Sequence, residues 1–267
     1  MPRSIPLWED RPPFYNPDYC GGEIPRITPY IIPSDKPLGC VIVLPGGGYA
    51  VRAPHEGEPI ALMLNAAGYN AFVCDYRVSP YRHPVPLCDA NRAVRFVRHR
   101  AAEFGCDPNK IGILGFSAGG HLAVTACTLY SEIIGDEGYT PDEIDSVSAR
   151  PDAGIFCYAV VSLSKFAHVG SMNNLTGGDM ELARKLSGEV AAHPDMPPAF
   201  LWHTFDDEAV PVENSLNLAL RMRELGVPCE LHIYPRGRHG LGLAEGDPSV
   251  SQWTGQLACW LRHSLNW

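Results

Sequence analysis

Short apolar runs, each too brief for a helix, recur along this chain with a longer amphipathic stretch between one and the next. Residues 40–44 (CVIVL) are the clearest case. Nothing polar alternates with the apolar side chains, so a strand built from them is buried on both faces. Residues 70–75, 110–115, 152–159, 199–203 and 229–234 read the same way, and 27–32 reads as an edge strand. Between them, helices are expected over 59–67, 87–104, 118–130, 213–225 and 249–265. The second of these places Ala90, Val94, Val97 and Ala101 on one face. Strands alternating with helices over most of a chain predict an α/β fold, with a mostly parallel central sheet flanked by helices on both faces.

A length of 267 residues suits one such domain, 1–267, without a large lid domain. Residues 1–23 are rich in proline and are expected to wrap the surface. Two stretches break the alternation. Residues 131–151 are acidic and loop-like. Residues 160–197 are polar and glycine-rich, with one short helix expected near 180–186. Both are long for simple connections, and 160–197 is a candidate small lid or site wall.

Composition narrows the function classes. Hydrophobic residues make up 45% and charged residues 19%, as in a folded globular chain. A formal net charge of −9 and the absence of a long basic run argue against nucleic acid and anionic membranes as partners. No apolar stretch approaches the ~18 residues of a membrane span. The opening MPRSIPLWEDRPP lacks the apolar segment of a secretory signal. The nine cysteines are scattered, with no Cys-x-x-Cys pair. They read as buried free thiols, and a cytoplasmic location is expected. No HExxH motif or close Cys/His ligand pair is present, so neither a metal nor another cofactor is expected. The oligomeric state stays open; a homo-oligomer is compatible with all of this.

Four motifs carry chemistry, each at the end of an expected strand. Gly115-Phe116-Ser117-Ala118-Gly119 follows a buried strand and precedes an alanine-rich helix. That strand–turn–helix setting is what a nucleophile elbow requires. The turn is tight enough that side chains at 115 and 119 would strike neighbouring backbone, and it presents the Ser117 hydroxyl at the carboxyl edge of the sheet. Pro45-Gly46-Gly47-Gly48-Tyr49 follows CVIVL. Its glycines free backbone amides to face a cavity. With the amide of Ala118, those of Gly47 and Gly48 are candidate donors for an oxyanion hole. His203-Thr204-Phe205-Asp206-Asp207 offers two acids able to orient an imidazole, one of which could instead serve the turn. Tyr234-Pro235-Arg236-Gly237-Arg238-His239-Gly240 offers a loop histidine. The chain has ten histidines, but His99 and His263 fall on helix surfaces and His232 in mid-strand. His121 is expected to pack inside a helix, and His55 either lines the site or precedes a helix. The order Ser117, Asp207, His239 is that of α/β-hydrolases and differs from the two other serine-triad orders. Tyr49, Tyr76, Pro80 and Tyr81 are candidates for a wall against a sugar, with core packing the equal alternative for the tyrosines.

From about Gly39 onward the chain resembles the α/β-hydrolase superfamily. Within it, the chain resembles bacterial feruloyl and acetyl esterases, also called xylan acetylesterase-like proteins. The resemblance rests on PGGGYAVRAPHEGEPIA, DYRVSPYRHPVPLCDANRAVRFVR, GFSAGGHLA, WHTFDDEAVPVENS and ELHIYPRGRHGLGLA. The segments PHEGEP, VPVENS and HGLGLA are the narrower ones. The resemblance implies a serine esterase on short acyl esters, with a small acetylated sugar as its substrate partner. It also implies that the acid is the second aspartate of its pattern, Asp207. Kynurenine formamidases and prolyl-oligopeptidase-type peptidases carry similar motifs, and a non-catalytic binding module on the same fold is the remaining alternative.

Overall fold

The protein is described by a computed structural model covering residues 2–267. Eight strands form one sheet in the order β1-β2-β4-β3-β5-β6-β7-β8. They are β1 (Ile5–Pro6), β2 (Arg26–Tyr30), β3 (Leu38–Leu44), β4 (Asn70–Asp75), β5 (Cys106–Phe116), β6 (Ala153–Cys157), β7 (Ala199–Thr204) and β8 (Cys229–Tyr234). From β4 across to β8 all neighbours are parallel; β1–β2 and β2–β4 are antiparallel.

Alternate residues of the parallel strands feed two separate cores. Ile42, Phe72, Ile113, Phe156 and Leu201 point to the face covered by α2 (Val85–His99), α3 (Ser117–Thr128) and α7 (Glu213–Leu225). Val41, Val43, Leu114, Ile155, Phe200 and Trp202 point to the face covered by α1 (Glu58–Ala66) and α8 (Trp253–Cys259). Of the expected stripe, Ala90, Val94 and Val97 lie on α2 and Ala101 just beyond its end, and all four are buried. The sheet is therefore covered on both faces, and no large lid stands over it among the described residues.

Three expectations need correction. Residues 27–32 do not form the edge, because the two-residue β1 pairs outside β2; a strand that short has no periodicity to detect. The closing helix is not continuous: a short 3₁₀ turn (Val250–Gln252) leads into α8, which runs on into a π-helical turn (Trp260–Ser264). Residues 160–197 hold three short helices, not one: α4 (Val169–Thr176), α5 (Met180–Lys185) and α6 (Gly188–Ala191). α5 begins at Asp179, whose carboxylate accepts the Glu181 and Leu182 amides, an ordinary N-cap signature. α4 is capped by the ring of His168, which accepts the Ser171 amide, and α6 has no side-chain cap. Histidine is no N-cap signal, and the Ser187 hydroxyl at the start of α6 donates back to Ala183 O at 2.9 Å instead of capping the helix. Met172, Leu175, Ala183 and Leu186 of this segment join the α3-side core.

One ion pair ties the N-terminal segment and the loop after β4 to the body of the fold. Arg77 and Asp89 are both almost fully buried. The Arg77 Nη2 and Nε donate to Asp89 at 2.6 and 2.9 Å, its amide donates to Asp89 Oδ2 at 2.8 Å, and its Nη1 donates to the Pro13 carbonyl at 2.7 Å. The same loop presses on the glycine loop after β3: the Tyr76 hydroxyl donates to Pro45 O at 2.6 Å and the Ser79 amide to Tyr49 O at 2.7 Å. Removing one partner leaves an uncompensated buried charge. Asp89→Ala is expected to destabilise the fold by about 3–5 kcal/mol. The joint change Arg77→Met with Asp89→Leu should cost much less. Equilibrium urea unfolding of both variants checks this; a loss under ~1 kcal/mol for Asp89→Ala would reject the assignment.

Candidate active site

The parallel strands end together along one edge of the sheet, and the four motifs meet there. β5 leads directly into α3 at Ser117, which takes a left-handed backbone conformation, φ +51°. Such a turn crowds its flanks. A Cβ on Gly115 would collide with the carbonyl oxygen of Gly119, and one on Gly119 with that of Leu44. The elbow therefore sits hard against the end of β3 as well as its own strand.

The Ser117 Oγ lies 2.8 Å from His239 Nε2, and His239 Nδ1 lies 2.7 Å from Asp207 Oδ2. With Nδ1–H donating to the carboxylate, Nε2 is left to accept the serine proton. Asp207 lies in the turn after β7 with its carboxylate fully buried, whereas the His239 side chain keeps 22% exposure. Oδ1 of Asp207 accepts the amides of Ala209 and Val210, each at 2.9 Å. Burial pushes this carboxyl upward. Hydrogen bonds from His203, from His239 and from the Val210 amide outweigh that push and hold it well below the usual carboxylate range. His203 is itself buried; its Nε2–H is shared between Val210 O at 2.9 Å and Asp207 Oδ2 at 3.4 Å, and its Nδ1 accepts from the Ser215 hydroxyl at 2.8 Å.

Asp206 goes elsewhere. It is exposed, and its Oδ1 accepts the Gly237 amide at 2.7 Å, at the base of the loop that carries His239. The Thr204 hydroxyl donates to the Gly237 carbonyl at 2.8 Å. Two adjacent aspartates thus divide the work of orienting the imidazole and latching its loop.

The glycine loop folds over the elbow. The amides of Gly47, Gly48 and Ala118 donate to no protein acceptor among the described residues. The Gly46 amide is engaged, donating to the buried carboxylate of Glu56 at 2.7 Å. The Gly48 carbonyl accepts from Asn174 Nδ2 at 2.9 Å, so α4 braces the loop from outside. His168 closes the same side. Its Nδ1 accepts the Ser171 amide at 3.1 Å and contacts the Ser171 hydroxyl at 2.8 Å, which leaves the proton on Nε2. Desolvation, then the neighbouring His239, pushes its pKa down. α4 and its cap residue His168 therefore stand beside the glycine loop.

Other expectations resolve into packing. His121 is fully buried between the Tyr49 hydroxyl and the Leu186 carbonyl, and burial lowers its pKa to about 4. Tyr49, Tyr76 and Tyr81 are buried, so only Pro80 of the suggested sugar wall is exposed. His55 bridges to the histidine loop, Nε2 donating to Gly240 O at 3.1 Å. Residue patterns missed Glu56, Tyr158, His168 and Asn174. Glu56 lay inside the quoted PHEGEP segment, which was the available signal; the other three stand in no motif.

A doubly covered, mostly parallel sheet with a serine elbow, an acid after β7 and a histidine after β8 defines the α/β-hydrolase fold. The comparisons narrow this further. The BD-FAE family model matches residues 32–222, and the chain belongs to that family. It is 36% identical over 256 residues to endo-1,4-beta-xylanase B of Butyrivibrio fibrisolvens, covering 93% of this chain and 39% of the relative. It is 33% identical to an acetylxylan esterase of Xylanibacter ruminicola, covering 85% of this chain and 46% of the relative. The chain thus spans less than half the length of either. Among solved structures, the acetyl ester-xyloside bifunctional hydrolase from Caldicellulosiruptor lactoaceticus superposes with a TM-score of 0.93 at 48% identity, covering 100% of this chain and 97% of that one.

Proposed function

We propose that this chain is a serine esterase that removes short acyl groups, above all acetyl, from sugars or oligosaccharides through an acyl-enzyme. The unbroken Ser117–His239–Asp207 hydrogen-bond chain, beside amides with no protein acceptor, is the observation that carries it. His239 takes the Ser117 proton as the hydroxyl oxygen attacks the ester carbonyl, then returns it to the leaving alcohol. Asp207 holds the imidazole tautomer and favours its charged form. The Gly47, Gly48 and Ala118 amides hold the oxyanion, each worth about 3 kcal/mol of barrier. Water then repeats the sequence on the acyl-enzyme. We read residues 1–267 as a single α/β-hydrolase domain whose 160–197 segment is a site wall. We place its work in the cytoplasm, the setting that suits the buried thiols of Cys40, Cys74, Cys88, Cys106, Cys127 and Cys157; Cys20 and Cys259, expected to be buried, are exposed.

Acetylated xylo-sugars are the substrates best supported, because two of the similar proteins are named for xylan and the third for an acetyl ester and a xyloside. On this reading the acyl site is sized for acetyl, and longer chains are rejected by overlap, which outweighs the ~0.8 kcal/mol gained per buried CH₂. Turnover should fall from acetyl to butyryl esters, with octanoyl esters nearly inert, and acetylated xylose or cellobiose should release acetate. N-formylkynurenine and peptidyl anilides cleaved after proline should be poor substrates. Octanoyl esters as best substrates, or N-formylkynurenine turned over faster than any acetyl sugar, would overturn the substrate assignment.

A further inference from the structure

We infer that Glu56 is a positioning residue that clamps the oxyanion loop and the histidine loop to one buried carboxylate, with Tyr158 as its second arm. The inference rests on the serine-esterase proposal above.

Glu56 sits at the end of a short 3₁₀ turn, Pro54–Glu56, and is only 2% exposed. Its two oxygens face opposite ways. Oε2 accepts the Gly46 amide at 2.7 Å. Oε1 accepts the Tyr158 hydroxyl at 2.6 Å. The Tyr158 hydroxyl oxygen accepts in turn the Gly242 amide at 2.9 Å, three residues beyond His239. The neighbouring His55 holds Gly240 from the same turn. The Tyr158 ring lies edge-on to the His239 ring, 5.0 Å between centroids. Tyr158 takes φ +34°, a conformation a bulky residue adopts only when its surroundings require it.

Each link has a consequence for the chemistry. Gly46 packs against the elbow so closely that a Cβ there would sit 3.0 Å from the Ser117 Cβ. Fixing its amide sets the height of the loop whose next two amides face the oxyanion. Such donors act only when already placed at 2.7–3.1 Å from the developing charge. Fixing Gly242 sets where the His239 loop returns to the body of the fold. A carboxylate suits this place because both partners are donors. An amide at position 56 must turn its NH₂ toward either the Gly46 N–H or the Tyr158 oxygen. In the second case the Tyr158 hydroxyl hydrogen is left without an acceptor.

The test compares wild type, Glu56→Gln, Tyr158→Phe and the double variant on an activated acetyl ester, well below each melting temperature. Glu56→Gln should lower kcat roughly 10²-fold, the typical effect of misplacing reacting groups by about 1 Å, with KM within about twofold. Tyr158→Phe should lower kcat by about tenfold, and the double variant should be no worse than Glu56→Gln alone, because both act through one chain. Fluorophosphonate labelling of Ser117 should slow in parallel. If Glu56→Gln does not fold, the kcat and KM of Tyr158→Phe decide alone. Unchanged kcat in the folded variants, a raised KM at unchanged kcat, or multiplying losses in the double variant would overturn the inference while leaving the serine esterase intact. A wild-type chain not labelled at Ser117 would sink both.

Discussion

Ser117→Ala should reduce kcat on an activated acetyl ester by about 10⁴-fold or more while leaving the fold intact. The expectation follows from position. The Ser117 hydroxyl reaches the imidazole of His239, at 2.8 Å, and its Cβ packs against Gly46 of the glycine loop. The side chain is small and its Oγ has no other partner among the described residues, so truncation removes a nucleophile without opening a large cavity. Positive φ costs alanine about what it costs serine, and the melting temperature should move little. Steady-state kinetics, with circular dichroism to certify folding, make the comparison. Turnover within tenfold of wild type in a folded variant would reject Ser117 as nucleophile.

Asp207→Asn should lower kcat by about 10³–10⁴-fold, and Asp206→Asn by no more than about tenfold. The two residues are adjacent and chemically alike, so the contrast isolates geometry. Asp207 is buried, accepts two backbone amides and faces His239 Nδ1 at 2.7 Å. Its amide replacement would present an NH₂ to an imidazole that must donate from that nitrogen, forcing the other tautomer and blocking Nε2 as base. Asp206 is exposed and accepts only the Gly237 amide, which an asparagine oxygen can still do. Its loss should loosen the loop and raise KM or broaden the pH profile before it abolishes turnover. A larger loss of kcat for Asp206→Asn than for Asp207→Asn would reverse the assignment.

Much of this architecture was legible along the chain because it is written in near neighbours. The apolar runs of β3, β4 and β7 are continuous, so their burial on both faces follows from the side chains alone. α7 ends where expected because Gly226 takes a left-handed conformation there, and β8 follows over the expected residues. β1, α4 and α6 were not legible. A two-residue strand has no period, and helices of eight and four residues gain stability from packing, α4 against α5 and α6 against α3, instead of from their own propensity.

The same division runs through the site. Sequence by itself determined the elbow, the glycine loop, the order of serine, acid and histidine, and their common place at strand ends, since a tight turn and its flanking glycines are local steric facts. Tertiary packing decided that Asp206 latches the histidine loop through the Gly237 amide, that the tyrosines near the site are core, and that Asn174 braces Gly48. It also decided that a glutamate in the turn after the glycine loop meets a tyrosine 102 residues away. The reason is physical. Hydrogen bonding and burial at such distances are set by which surfaces the packed sheet brings together, and no interval along the chain records that.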